Sequence, residues 1–309
     1  MNHPITRRQA LLGTLAVGTA ALVGCGRTDS QPTQASARPA LSPMDLSADI
    51  ESLEQRHGAR IGMWASDLAT GKSATYRSGE SFAMCSTFKP YAVAAALRLA
   101  SGATLDLAEA VPVAAEDVVV NSPVLSRMVG GSITLLQACE AALTESDNTA
   151  GNIVLRAIGG PAAVTSFART VGDHRSRLDR WEPELNDAEP GDPRDATSPE
   201  ALAAGYNTIL VGDALERAER DRLTGWMRAT RTSDKRFRAA LPQGWTSADK
   251  TGAGSYGSTN DAGLVLGPRG ERTLLTIMTR SGDDRRDAAP FNDAIADTVR
   301  IVLTAFGRR

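Results

Sequence analysis

The chain has 309 residues, of which 42% are hydrophobic and 23% charged, and a formal net charge of −2. That length allows a sizeable buried core, in one large domain or two intimate ones. The near-neutral balance excludes the basic surface that nucleic-acid binding requires.

Three cysteines (Cys25, Cys85, Cys139) and three histidines (His3, His57, His174) are widely scattered. No metal-site spacing joins them, so neither a metal, another cofactor nor a Ser-His-Asp triad is expected. Lysine is scarce, confined to Lys72, Lys89, Lys235 and Lys250.

The N-terminus reads MNHPITRRQALLGTLAVGTAALVGC. Arg7 and Arg8 precede an apolar run at 10–23. A membrane-spanning helix needs about 20 apolar residues, so the run fits a signal-peptide core better. The arginine pair resembles a twin-arginine export signal. The ending Leu-Val-Gly-Cys resembles a bacterial lipobox, which makes Cys25 the expected lipid anchor and residues 1–24 a removable signal. Residues 26–43 are rich in Ser, Thr, Gln, Ala and Pro and poor in large apolar side chains. With Cys25 they read as a flexible tether over 25–43, ahead of a folded domain over 44–309. The expected location is outside the cytoplasmic membrane.

The folded pattern starts with Leu46, Ile50, Leu53 and His57 on one helical face, closed by Gly58. ARIGMWASDL and SATYR then read as strands around the turn ATGK. The middle of the chain, from about Phe82 to Met227, is mostly helical in pattern. GWTSADKTG, DAGLVLG and RTLLTIMT read as three further strands, the last two joined by the turn GPRG. Ile295, Val299, Val302 and Phe306 give a C-terminal helix. Strands at both ends and helices between predict a two-lobe α+β fold. One antiparallel sheet is flanked by the terminal helices (about 44–77 and 229–309), beside an all-α lobe (about 78–228). The cleft between such lobes is a common ligand site.

Within the middle, CSTFKPYAVAAALRLA starts a helix near Ser86. Ser86 and Lys89 are three apart and can share a face, with Pro90 tolerated in the first turn. A serine there is most often a cap. It becomes a nucleophile if a lysine of lowered pKa takes its proton. Two further motifs, Ser146-Asp147-Asn148 and Lys250-Thr251-Gly252, follow in order. Together the three resemble the motif set of the class A serine β-lactamases, a set that general catalogues of catalytic motifs also give for that family. The resemblance covers the chain from about Ser47 to Arg309.

That resemblance implies hydrolysis of the β-lactam amide of penicillins and cephalosporins, and resistance to them. Ser86 is the implied nucleophile and Lys89 its proton partner. Ser146 is the implied relay to the departing ring nitrogen. Asn148 binds the substrate side chain, Lys250 and Thr251 hold its carboxylate, and Gly252 allows close backbone approach. The oxyanion hole falls to the backbone N–H groups of Ser86 and Ala253. Arg236 stands where some members supply an additional positive charge, although a surface arginine is the plainer alternative. Cys85 and Cys139 lack the family's usual partners, which stand here as Gly254 and Val93, so no disulfide is expected. Asn121 replaces an aromatic usual at the rim. The family suggests a monomer inhibited by clavulanate.

RWEPELND at 180–187 lies in a proline-broken stretch that resembles the family's Ω-loop. Arg180 and Asp195 match the ion pair that closes it. Glu182 and Asn186 match the pair that holds the hydrolytic water, and Glu184 is left as a structural acid. Glu182 separates a β-lactamase from a penicillin-sensitive peptidase or a non-catalytic β-lactam-binding lipoprotein, both of which are acylated without fast release. The motifs leave open whether Lys89 or Glu182 deprotonates Ser86.

Overall fold

The computed structural model describes residues 43–308. The expected signal at 1–24, the Cys25 anchor and the tether up to residue 42 lie outside the described residues.

Helix α1 (Ser47–His57) ends where Gly58 turns left-handed at φ 65°, a conformation glycine adopts without a Cβ clash. Strands β1 (Ala59–Asp67) and β2 (Ser73–Tyr76) follow, then the short β3 (Phe82–Ala83) and helix α2 (Lys89–Ser101). Next come β4 (Ala110–Pro112), β5 (Ser132–Thr134) and helices α3 (Leu135–Thr144), α4 (Asn148–Ile158) and α5 (Pro161–Thr170). The chain continues through β6 (Ala196–Thr197), α6 (Pro199–Leu210) and α7 (Arg217–Arg228). It closes with β7 (Thr246–Ala253), β8 (Thr259–Leu266), β9 (Arg272–Ser281) and α8 (Asn292–Ala305).

The sheet has the order β2-β1-β9-β8-β7, antiparallel throughout. Each end of the chain supplies neighbouring strands, as the sequence pattern predicts. On one face α1 and α8 bury Ile50, Leu53, Ile295, Val299 and Val302 against Ile61, Met63 and Ile277. On the other, Ala248, Leu264, Leu274 and Met278 join the core of the helical half. At that core's centre the Tyr91 ring meets Tyr206 edge-on at 5.6 Å, and its hydroxyl donates to Asp173 Oδ2 at 2.8 Å. The buried phenol therefore keeps a polar partner.

The middle stretch is not purely helical. The pairs β3–β6 and β4–β5 lie within it, with two and three residues per strand. Strands so short carry no readable period, and both pairs join segments well separated in sequence. No helix among the described residues is long and apolar enough to cross a membrane.

Candidate active site

A cleft of about 1060 Å³ opens between the β7 edge and the helices, lined in part by Ser86, Ser146, Asn148, Asn186, Arg236 and Thr251. Its depth comes from segments far apart in sequence: the Ser86 turn, α4 and the residues just before it, the 180–187 loop and β7.

Ser86 stands in a single 3-10 turn, Cys85–Phe88, and the α-helix proper starts at Lys89 rather than near Ser86. Cys85 enters that turn at φ 45°, and Ser146 has φ 57°. Left-handed backbone costs a non-glycine residue about 1–2 kcal/mol and concentrates at functional sites. Here it aims both serines into the cleft.

The buried Lys89 does not hydrogen-bond to Ser86. Its Nζ donates to Ser146 O (2.7 Å) and Asn148 Oδ1 (2.8 Å) and lies 3.1 Å from Glu182 Oε1. Ser86 Oγ reaches that same Oε1 at 3.5 Å. Burial lowers the Lys89 pKa from the ordinary 10.5, opposed by the Glu182 charge.

Glu182 is only 2% exposed, whereas Glu184 lies at the surface. The sequence separates these two acids in the same way. Asn186 Nδ2 donates to Glu182 Oε2 and, at 3.2 Å, to Pro183 O. The Glu182–Pro183 peptide is cis. Arg180 Nε donates to Asp195 Oδ2 at 2.6 Å, and Asp195 Oδ1 accepts from the backbone N–H of Asp179 and Arg180. The ends of the loop are therefore joined as expected.

Sequence reading missed Asn152. Its Oδ1 accepts from Glu182 N–H (3.0 Å) and its Nδ2 donates to Glu182 O (2.9 Å). It lies one turn beyond Asn148 on α4, so both face the cleft side. The available signal was a second asparagine at helical spacing within an otherwise apolar face. Asp147 caps α4 by accepting from Ala150 N–H (2.8 Å) and also accepts from the N–H groups of Val124 and Leu125, which orders the 121–125 loop against α4.

On the sheet side, Lys250 Nζ donates to Ser146 Oγ (2.8 Å) and Thr251 O (2.9 Å). Thr251 Oγ1 lies 2.6 Å from Thr232 Oγ1. Burial pushes Lys250 well below its ordinary 10.5, with the Lys89 and Arg236 charges adding to the effect. Arg236 is 8% exposed, not a surface arginine. It donates to Gly252 O (2.8 Å), Asn260 O (2.7 Å) and Asn292 Oδ1 (2.9 Å). A Cβ at Gly252 would lie 3.0 Å from Met84 O, so the missing side chain lets β7 close on the Ser86 turn and brings Ala253 to the cleft. Cys85 and Cys139 are both buried and unpaired, and burial pushes each thiol up to about 12. No cluster of metal-ligating side chains occurs among the described residues.

This arrangement suits acyl transfer. A hydroxyl adjoins a buried carboxylate and ammonium, a second hydroxyl lies between two ammonium groups, and fixed cations line the edge where an anionic substrate group can dock.

The chain matches the model of the Beta-lactamase enzyme family over residues 45–303. It is 44% identical over 267 residues to a beta-lactamase of Streptomyces lavendulae, covering 85% of this chain and 87% of that protein. A beta-lactamase of Streptomyces fradiae is 45% identical over 281 residues, 88% of this chain and 91% of that one. The solved beta-lactamase of Streptosporangium roseum superposes with a TM-score of 0.81 at 42% identity, over 85% of this chain and 98% of that chain. An ancestral class A beta-lactamase does so at 0.79 and 45% identity, over 85% and 100%.

Proposed function

The chain belongs to the beta-lactamase enzyme family and is a class A serine β-lactamase, and on that premise we propose that it works through a Ser86 acyl-enzyme which a Glu182-activated water hydrolyses. The observation that carries this reading is the position of Glu182. It is a buried carboxylate within 3.5 Å of the Ser86 hydroxyl and 3.1 Å of Lys89 Nζ.

In acylation, Ser86 Oγ bonds to the β-lactam carbonyl carbon and gives up its proton to the Lys89–Glu182 pair. Either member can accept it first, since both reach the same small volume. The oxyanion is held by the backbone N–H groups of Ser86 and Ala253. The C–N bond then breaks, and the ring nitrogen takes a proton from Ser146. Lys250 and Lys89, both within 3.5 Å of Ser146 Oγ, return that proton.

Water then attacks the ester. Glu182 takes its proton, Asn186 fixes the carboxylate, and Ser86 leaves reprotonated. General-base assistance of this kind contributes roughly 10²–10⁴-fold. Asn148, whose amide donates to Val120 O at 3.1 Å, has a second N–H for the substrate's side-chain carbonyl. Lys250, Thr251 and Arg236 form the carboxylate site, with Gly252 giving the backbone room. Penicillins and cephalosporins both carry that carboxylate and are the proposed substrates, with resistance to them the cellular outcome and clavulanate an inhibitor. We assign the working form as a monomer, exported by residues 1–24 and tethered through lipid on Cys25.

The test is Glu182→Gln. Intact-mass spectrometry after mixing with a chromogenic cephalosporin should show a persistent adduct on Ser86, where the wild type returns to free enzyme. Normal turnover by the variant would remove Glu182 from deacylation. Absence of hydrolysis by the wild type would overturn the enzyme reading itself.

A further inference from the structure

Asn260 on β8 is 1% exposed and lies opposite Gly252 on β7. It shares a strand face with Ala262 and Leu264, which belong to the core of the helical half, so its side chain points toward the Ser86 turn. There its Nδ2 donates to two consecutive carbonyls, Ala83 O (2.8 Å) and Met84 O (3.1 Å). A Cβ at Gly252 would lie 3.2 Å from that nitrogen and 3.2 Å from Cys85 Cβ, so the missing side chain leaves the amide its path to the turn.

The contact does more than fill the core. Ala83 and Met84 are the last residues before Cys85, whose φ of 45° turns the chain into Ser86. A non-glycine residue stays left-handed only where its surroundings over-determine it. Met84 is fixed on both sides. Its N–H donates to Asp195 O (2.7 Å), at the far end of the loop that carries Glu182, and its carbonyl takes the Asn260 amide. The amide also has a cost, because Asn260 Oδ1 is buried with no partner among the described residues. An orphaned acceptor offsets much of what the two donated bonds contribute to folding. The reverse orientation would set Oδ1 against both carbonyls. Arg236 meanwhile donates to Asn260 O at 2.7 Å. One residue thus stands between the carboxylate site, which grips its backbone, and the nucleophile's turn, which its side chain grips.

We propose that Asn260 is a positioning residue for acyl transfer: by pinning the Ala83 and Met84 carbonyls it fixes the Ser86 hydroxyl and the Ser86 N–H against the reacting carbonyl. It touches no substrate. The idea rests on the Ser86 acyl-enzyme reading above. Hydroxyl and N–H belong to one residue, so a loosened turn misplaces the attacking oxygen and the oxyanion donor together. A misplacement of about 1 Å costs on the order of 10²-fold. The grip of Arg236 is on the Asn260 backbone and survives loss of the side chain.

The experiment adds Asn260→Ala to Glu182→Gln in the full chain and follows the Ser86 adduct of a cephalosporin by intact-mass spectrometry. Labelling should slow about 10²-fold yet reach the same end-point. Binding of a penicillin to Ser86→Ala, measured by calorimetry, should keep its Kd when Asn260→Ala is added. A merely structural role would instead lower the fraction of protein ever labelled and leave the rate of that fraction unchanged. That result, an unchanged labelling rate, or a Kd that rises as far as the rate falls would each overturn the proposal. If Asn260→Ala does not fold, Asn260→Ser decides by the same rates, since the hydroxyl stops one bond short of the amide nitrogen and is expected to slow labelling likewise. Failure of Glu182→Gln alone to form any adduct would sink the acyl-enzyme reading itself. An adduct that forms equally fast with and without Asn260 would sink only the role given to Asn260.

Discussion

Asn152→Ala should slow the hydrolytic half-reaction, which rests on Glu182, more than acylation, in which Lys89 can also take the Ser86 proton. Asn152 is 5% exposed and holds Glu182 by both its backbone N–H and its carbonyl. Truncation leaves two buried backbone groups unpaired, at about 1–3 kcal/mol each, or roughly 2–6 kcal/mol together. For a domain of this size that corresponds to a melting-temperature fall of about 5–15 °C. The catalytic effect follows from position. A misplacement of about 1 Å costs on the order of 10²-fold. Deacylation is therefore expected to fall about 10²-fold, with the acyl-enzyme accumulating in stopped-flow bursts and intact-mass spectra. The refuting result comes from a double-mutant cycle. If Asn152 acts through Glu182, adding Asn152→Ala to Glu182→Gln costs little further deacylation. A second full 10²-fold loss, or unchanged deacylation in the single variant, would show that the Asn152 grip does not position the base.

Other predictions follow from the same geometry. A Cβ at residue 254 would lie 2.9 Å from Cys85 Sγ, close to the roughly 3 Å between a Cβ and the distal sulfur of a disulfide. Gly254→Cys should therefore lose both thiols to titration on oxidation. Because that Cβ also lies 2.6 Å from Asn186 O, it should lower kcat by shifting the loop. Arg180→Ala strands the Asp195 carboxylate, whose side chain is 1% exposed, and should cost about 3 kcal/mol in urea unfolding with faster proteolysis of the loop. Burial holds Lys250 well below 10.5, and its charged form is the one that binds a carboxylate. Deprotonation should thus raise KM as pH climbs toward that ordinary value, while a substrate analogue without the carboxylate shows no such rise. An equal rise for both substrates would remove Lys250 from carboxylate binding.

What the sequence made legible follows a physical division. β1, β7, β8 and β9 carry long apolar or alternating runs because each is buried on at least one face, and α1 and α8 carry clear helical periods. Those periods were readable. The candidate site was readable as motifs because Ser86, Ser146, Glu182 and Lys250 sit in short fixed spacings with the residues proposed as their partners. Three things were not. The 3-10 entry to α2 depends on a left-handed Cys85, which residue type does not reveal. The contact of Asn152 with Glu182 spans thirty residues and exists only once α4 and the loop are packed. The burial of Arg236 depends on the carbonyls of Gly252 and Asn260, sixteen and twenty-four residues away, which hold its guanidinium. Long-range hydrogen bonds between single side chains and backbone leave no period in a sequence.

The sheet order leaves β7 at an edge, yet its residues from Ser247 to Thr251 are buried. An open strand edge invites pairing with other chains and, through it, aggregation. Here α7 and the Ser86 turn lie against that edge and leave only a slot beside it. With both packed there, less of the edge is open to a second polypeptide strand. The helical half of the molecule therefore guards solubility as well as supplying reactive groups. Loosening α7 without unfolding the sheet should reveal this as ordered, strand-paired oligomers that carry near-native secondary structure.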